Sequence, residues 1–216
     1  KTDFLSRMSH DIRTPLNGII GMTNIANGIN DQELQHHKKL GRCLANIQSS
    51  SHFLLSLIND ILDIAKIESG KLTLDPQPSA IKEISHMVEA VIRPLMDEKH
   101  MDFTCRSTIK TTYANVDMTR LNQILFNLLS NAAKYTLDGG SVLFAAESLH
   151  CDGPTEWVRC TVKDTGIGMS EAFLARAFNP FEQERGSDDN LQWTGTGLGL
   201  AIAKELTKKM GGTIRV

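Results

Sequence analysis

Thr194-Gly195-Thr196-Gly197-Leu198-Gly199-Leu200 is the stretch on which the fold of this chain turns. Its glycines let a bound group approach the backbone closely. Apolar residues at helical spacing follow, so the loop opens a helix predicted over Leu198–Met210. The first N–H groups of that helix, with its dipole, form an anion site. A glycine loop also serves as a plain turn and helix cap, so alone it decides little. What it excludes is informative. It has neither the lysine nor the spacing of a Walker A loop, and its order relative to the strands does not suit a dinucleotide-binding βαβ unit.

Upstream, Asp164-Thr165-Gly166-Ile167-Gly168-Met169 follows a strand read over Trp157–Lys163, with Val158, Cys160 and Val162 on one face. A carboxylate at a strand end, beside glycines that allow close approach, can accept a hydrogen bond from an adenine amino group. Between the two loops, Asn179–Trp193 is polar and aperiodic and reads as a lid, with Phe178 and Phe181 at its base. Earlier still, Leu121–Ala133 is helical, with Leu121, Leu125, Leu128 and Ala132 as its predicted buried stripe. Asn127, Asn131 and Lys134 share one flank at i, i+4 and i+7. Amide oxygens are hard ligands suited to Mg2+, and a lysine is a point charge for phosphate. Asparagine is a mediocre helix former, so two of them inside one helix ask for a reason.

The rest of this half reads as a helix over Ile81–Met96 ended near Pro94, strands at Phe103–Ile109, Ser141–Ala146 and Thr213–Val216, and a helix at Ser170–Phe178. A mixed sheet covered by helices fits that order. Before the segment 70–78, read as a linker, the pattern is helical throughout. Leu5, Met8, Ile12, Leu16, Ile19 and Ala26 fall in one stripe, and polar residues from Gly28 to Asp31 break it. Leu40, Leu44, Ile47, Leu54, Leu55, Ile58, Leu62 and Ala65 form a second stripe. Two amphipathic helices joined briefly make a helical hairpin. Alone they expose too much apolar surface, so pairing with a second copy into a four-helix bundle is expected.

In Ser9-His10-Asp11-Ile12-Arg13-Thr14-Pro15-Leu16, His10 lies about 180° from the centre of the first stripe, together with Thr14 and Asn17. It is predicted to be exposed, as an acceptor of phosphate from a mobile donor must be. Asp11 can hold one ring nitrogen as the donor, leaving the other free to attack. Pro15 removes a backbone bond and bends the helix beside the reactive residue.

Composition sets the outer limits. The 216 residues suffice for one large domain or two ordinary ones. A net charge of -2 gives no footprint for nucleic acid. No apolar run is long enough to span a bilayer, and no signal peptide opens the chain, so no membrane contact is expected from it. The four cysteines show no metal-ligand spacing and read as reduced. Both ends look cut, as in a piece of a longer protein.

Taken together, these stretches resemble the sensor histidine kinases of two-component signalling. Ser9–Leu16 looks like the H box of that family, Asn122–Thr136 its N box, Asp164–Met169 its G1 box, Phe178–Gln183 its F box and Gly195–Leu200 its G2 box. The resemblance implies an all-α helical hairpin, dimeric as a four-helix bundle, followed by an α/β sandwich ATP-binding domain with a mixed sheet. Residues 1–69 would be the dimerisation and phosphotransfer domain and 79–216 the ATP-binding catalytic domain. It implies ATP-dependent autophosphorylation of His10, then transfer to an aspartate of a response-regulator receiver domain, with ATP and Mg2+ as cofactors. Asn131 and Asn127 would hold Mg2+. Lys134 and the amides around Gly197 and Gly199 would hold the phosphates and Asp164 the adenine, with Tyr135, Gly166, Gly168, Gly195, Thr196 and Leu198 also binding the nucleotide. Asp11 and Thr14 also match the family's phosphatase motif. The whole protein is expected to be a membrane-anchored bacterial sensor, simple or hybrid in type, with this piece cytoplasmic. There are departures: Asp11 stands where glutamate is commoner, Thr194 where glycine is frequent, and the further strands of the family lie beyond Val216. Two rival readings fit less well. An ATPase of the same group would carry a glutamate base near Asn127, and asparagine cannot take that proton. A non-catalytic scaffold would not need both asparagines and both glycine loops.

Overall fold

The computed structural model describes residues 12, 16–26, 34–153, 155–184 and 196–216. It divides into two compact units, Lys1–Gly70 and Lys71–Val216. Among the described residues no helix is long and apolar enough to cross a membrane.

The described part of the first unit is helical up to Glu68 and turns at Ser69 and Gly70. Helix α1 covers residues 16–26 and α2 covers Leu34–Glu68. In α2, Cys43, Leu57 and Ile64 are buried, whereas Leu44, Leu55, Ile58 and Leu62 are 55%, 57%, 41% and 50% exposed. Those four project within roughly 60° of arc at 100° per residue. The second predicted stripe is therefore corrected: none of its eight residues is buried, the buried side lies at Cys43, Leu57 and Ile64, and the stripe itself is an exposed apolar seam among the described residues.

In the second unit the order is β1 (Gln77–Ala80), a 3-10 turn (Ile81–Glu83), α3 (Ile84–Glu98), β2 (Asp102–Thr108), β3 (Tyr113–Val116), α4 (Met118–Tyr135), β4 (Ser141–Asp152), β5 (Thr155–Asp164), α5 (Glu171–Leu174) and α6 (Gly199–Lys209). The main sheet runs β2-β4-β5, with β2 parallel to β4 and β4 antiparallel to β5. It is the mixed sheet expected from the sequence. β1 and β3 form a separate antiparallel ribbon from Gln77↔Val116 to Ala80↔Tyr113. The core joins α3 (Ile84, Val88, Ile92, Met96), α4 (Leu125, Leu129, Ala132, Ala133), β2 (Phe103) and β4 (Val142, Phe144, Ala146). Val158 and Val162 of β5 lean on it, and α6 packs on α4.

Several sequence expectations are corrected. The helix does not end near Pro94; α3 runs through it to Glu98. Pro94, and Ala90 whose carbonyl loses its donor, are not among the buried residues, while Ile92 and Met96 keep burying the opposite side. Thr213–Val216 is not a strand, because alternation supplies propensity but no described neighbour pairs with it. α5 is shorter than Ser170–Phe178: Arg176 N–H bonds Phe173 O and Asn179 N–H bonds Arg176 O, three-residue spacings that tighten the chain into turns. The buried face of α4 is Ile124, Leu125, Leu129, Ala132 and Ala133, with Leu121 and Leu128 only half-buried. Sheet and α6 cover α4 from two sides, which shifts and widens its apolar face. Nothing in the sequence pattern marks β1 and β3. Pro78 reads as linker, yet it sits in a strand of a two-stranded ribbon, where a missing donor is tolerated.

Candidate functional site

Helix α4 is the spine of the site. Asp117 caps its start: one carboxylate oxygen accepts Arg120 N–H at 3.0 Å and the other accepts Asp75 N–H at 3.0 Å. Burial pushes that carboxyl up, but the N–H groups of Asp75 and Arg120 and the Arg120 charge outweigh it and hold the pKa below the ordinary value. At the other end Lys99 Nζ donates to Ala133 O at 2.8 Å and Lys134 O at 3.3 Å, satisfying carbonyls that the helix leaves free.

Along the predicted flank, Asn127, Asn131 and Lys134 are all half-buried. A Cβ on Gly199, the first residue of α6, would stand 3.5 Å from the Asn127 side-chain amide. That glycine thus brings the start of α6, with its free N–H groups, beside Asn127. The buried Asn127 Nδ2 finds no partner among the described residues. Amide oxygen and nitrogen exchange by a flip, so either atom can occupy this partnerless position beside a helix start. A buried amide without a partner is costly. Its chemistry fits both a phosphate-bound hard cation and a phosphate oxygen, so these residues fit the nucleotide and Mg2+. Lys134 Nζ lies 3.1 Å from Tyr135 Oη and 4.7 Å from its ring centroid, which steers the ammonium along the helix end.

Asp164 ends β5. Its Oδ1 accepts Gly166 N–H at 2.9 Å, bending the chain into the loop. Ile167 N–H then bonds Tyr135 O at 3.2 Å. A Cβ on Gly166 would lie 2.5 Å from Tyr135 O and 2.8 Å from Asp164 Oδ1, so only glycine lets this loop reach the end of α4. The structure thereby brings Asp164, Gly166, Lys134 and Tyr135 together. Gly168 has φ +69° with open space around it.

The second loop is held from the opposite side. Gly197 (φ +68°) accepts Phe181 N–H at 2.8 Å, and a Cβ there would fall 2.8 Å from Phe181 C and 3.0 Å from Glu182 O. Phe181 is itself left-handed, at φ 65°. Leu198 N–H goes to Thr196 Oγ1 at 3.1 Å and its side chain is fully buried, so Leu198 anchors α6. The base of the predicted lid is fixed: Lys204 Nζ lies over the Phe178 ring and Ser170 N–H bonds the Glu184 carboxylate at 3.1 Å.

His10, Asp11, Thr14 and Gly195, with residues 185–193 of the predicted lid, lie outside the described residues. Sequence reasoning passes over Thr136 and Asp117. Thr136 is 1% exposed and its hydroxyl finds no partner among the described residues; nothing in a lone threonine signals that. Asp117 is legible as an N-cap three residues before Arg120, though its second bond to Asp75 is not.

Two family comparisons cover most of the chain. Residues 1–70 match the His Kinase A (phospho-acceptor) domain. Residues 116–216 match the histidine kinase-, DNA gyrase B-, and HSP90-like ATPase family. The autoinducer 2 sensor kinase/phosphatase LuxQ of Vibrio cholerae is 36% identical over 100% of this chain and 24% of its own length. The virulence sensor protein BvgS of Bordetella pertussis is 40% identical over 99% of this chain and 17% of its own length. The chain thus spans a quarter or less of these relatives. Full-length ShkA in complex with AMPPNP superposes with a TM-score of 0.65 at 32% identity, over 97% of this chain and 41% of that one.

Proposed function

The chain belongs to the sensor histidine kinases, and on that footing we propose that it phosphorylates its own His10 from ATP and passes the phosphoryl group to an aspartate of a response regulator. The observation that carries this reading is the orphaned Asn127 amide set against Gly199 at the start of α6. The ATPase family match over 116–216 and the nucleotide analogue bound by ShkA support the same ligand.

Residues 79–216 hold the nucleotide and residues 1–69 carry the acceptor and the dimer seam. Asp164 takes the adenine amino group, and Lys134, Tyr135 and the amides about Gly197 and Gly199 take the phosphates. Asn131 and Asn127 would hold Mg2+, which supplies charge neutralisation of the phosphates. His10, neutral and oriented by Asp11, attacks the γ-phosphorus in line. Catalysis is then positioning and electrostatics, as is general for phosphoryl transfer. Thr14 positions water for the phosphatase reaction, in which water attacks the regulator's aspartyl phosphate and releases carboxylate and inorganic phosphate. The exposed seam of Leu44, Leu55, Ile58 and Leu62 supports pairing with a second copy. The whole protein is a bacterial, membrane-anchored hybrid sensor of which this is the cytoplasmic kinase portion.

Incubation with radiolabelled ATP and Mg2+, beside a His10→Gln variant, tests this. Acid-labile, alkali-stable label that the variant lacks is expected. Label retained in the variant would sink the assignment of His10.

A further inference from the structure

The segment that leaves the helical hairpin is not free. Leu72 is 2% exposed and its carbonyl accepts Lys209 Nζ, from the last turn of α6, at 2.7 Å. Asp75 N–H is held by Asp117, the cap of α4, at 3.0 Å. Asp117 is itself 8% exposed, so its bonds are sheltered from water. Gln77 then enters β1. The fastening therefore uses the two helices that frame the site, at the start of α4 and the end of α6. Gly70, at φ +67° with open space about it, is the conformationally permissive residue just before.

We infer that Asp117 and Lys209 are positioning residues for phosphoryl transfer: they staple residues 72–75 to the nucleotide-binding body and confine the swivel between the two units to Ser69–Lys71. This rests on the kinase reading. The physical consequence is a matter of effective concentration. With the staple, the tether is Ser69–Lys71, three residues between the end of α2 and the held Leu72 carbonyl, of which Ser69 and Gly70 still bond back to Ala65 O and Ile67 O. Without it, the tether is Ser69–Pro76, eight residues up to β1. Effective concentration falls roughly as the −3/2 power of tether length, so encounter of nucleotide and acceptor drops about fourfold. Nucleotide affinity does not change, because neither residue touches the ligand flank.

Asp117→Asn is the discriminating change. Asparagine caps a helix as well as aspartate does, so the Arg120 bond persists, while its amino group cannot accept Asp75 N–H. The staple is removed by Leu72→Ser, Asp117→Asn and Lys209→Met together. A second variant keeps all three native residues and carries five Gly/Ser residues inserted after Gly70. Autophosphorylation turnover and KM for ATP are measured on both, with nucleotide Kd as the check of folding. Turnover about fourfold lower in both, with KM and Kd within twofold, is expected. Unchanged or faster turnover in either variant, or a Kd that weakens in step with turnover, overturns the inference. Amide exchange gives a readout independent of activity. Asp75 N–H is protected in the native chain and loses protection in Asp117→Asn, while Arg120 N–H keeps it. An Asp75 amide that exchanges natively at the unprotected rate overturns the staple even in a chain that takes no phosphate. Absence of label in the native chain, with Asp75 protected, would instead strike the kinase reading.

Discussion

Gly197 and Gly168 sit in the two loops of the site with nearly the same left-handed φ, +68° and +69°, yet their surroundings differ. At Gly168 an added methyl would meet open space, so Gly168→Ala carries only the backbone penalty of the left-handed region, about 1–2 kcal/mol. At Gly197 the same methyl would stand 2.8 Å from Phe181 C and 2.9 Å from Phe181 Cα. Those are backbone atoms and cannot rotate away. Relief requires moving Phe181 off the loop, an overpacking cost of about 1–3 kcal/mol on top of the first. The difference between the two variants isolates the close approach. Phe181 N–H, bonded to Gly197 O at 2.8 Å, is the natural reporter. In Gly197→Ala its amide exchange should accelerate about thirtyfold, the equivalent of about 2 kcal/mol, relative to Gly168→Ala. Nucleotide affinity, read by titration calorimetry, should fall in the same order. Equal exchange rates in the two variants would refute the claim that glycine is required at 197 for packing rather than for φ alone.

Other expectations are as direct. Thr136→Val keeps the shape and removes a buried hydroxyl that has no partner, so thermal unfolding should show unchanged or higher stability, by up to about 1 kcal/mol; a loss would mean the hydroxyl is bonded. The Asp117 carboxyl is held below its unfolded value by its N–H donors and Arg120, so its contribution is fully present above about pH 3.9 and is lost as pH falls through the folded pKa. Acid unfolding of Asp117→Asn should accordingly have a shallower limb than that of the native chain; identical limbs would contradict the assignment. Leu55→Glu with Leu62→Glu places charge on two exposed seam positions and should convert a dimer to monomer in sedimentation at fixed concentration, with secondary structure retained. Leu129→Ala, at a side chain with no exposure, should cost about 2–5 kcal/mol in urea unfolding.

Periodicity makes α3 and α4 readable, because their buried residues recur every three or four positions whatever lies opposite, whereas in α2 the same period picks out a face that this structure leaves exposed. The same signal misjudges ends. Pro94 reads as a stop, but whether a proline stops a helix depends on whether the orphaned carbonyl is wet, and that is a property of packing. β1 carries Pro78 and its four residues have too little pattern to stand out; it exists because Tyr113–Val116 lies beside it. Thr213–Val216 alternates like a strand and pairs with nothing described.

For the site, residue chemistry and order single out Asn127, Asn131, Lys134, Asp164 and the glycines as candidates, since an amide pair within a helix and glycine-rich loops are visible in one dimension. The sequence by itself determined the chemical inventory, the family and the helical periods, because these depend on residue identity and local spacing. Only the tertiary structure decided which glycines are obligatory, that Asn127 Nδ2 and the Thr136 hydroxyl are buried without partners among the described residues, and that Asp117 reaches back 42 positions to hold Asp75. Those are distances between segments remote in the chain, and nothing in local spacing encodes them.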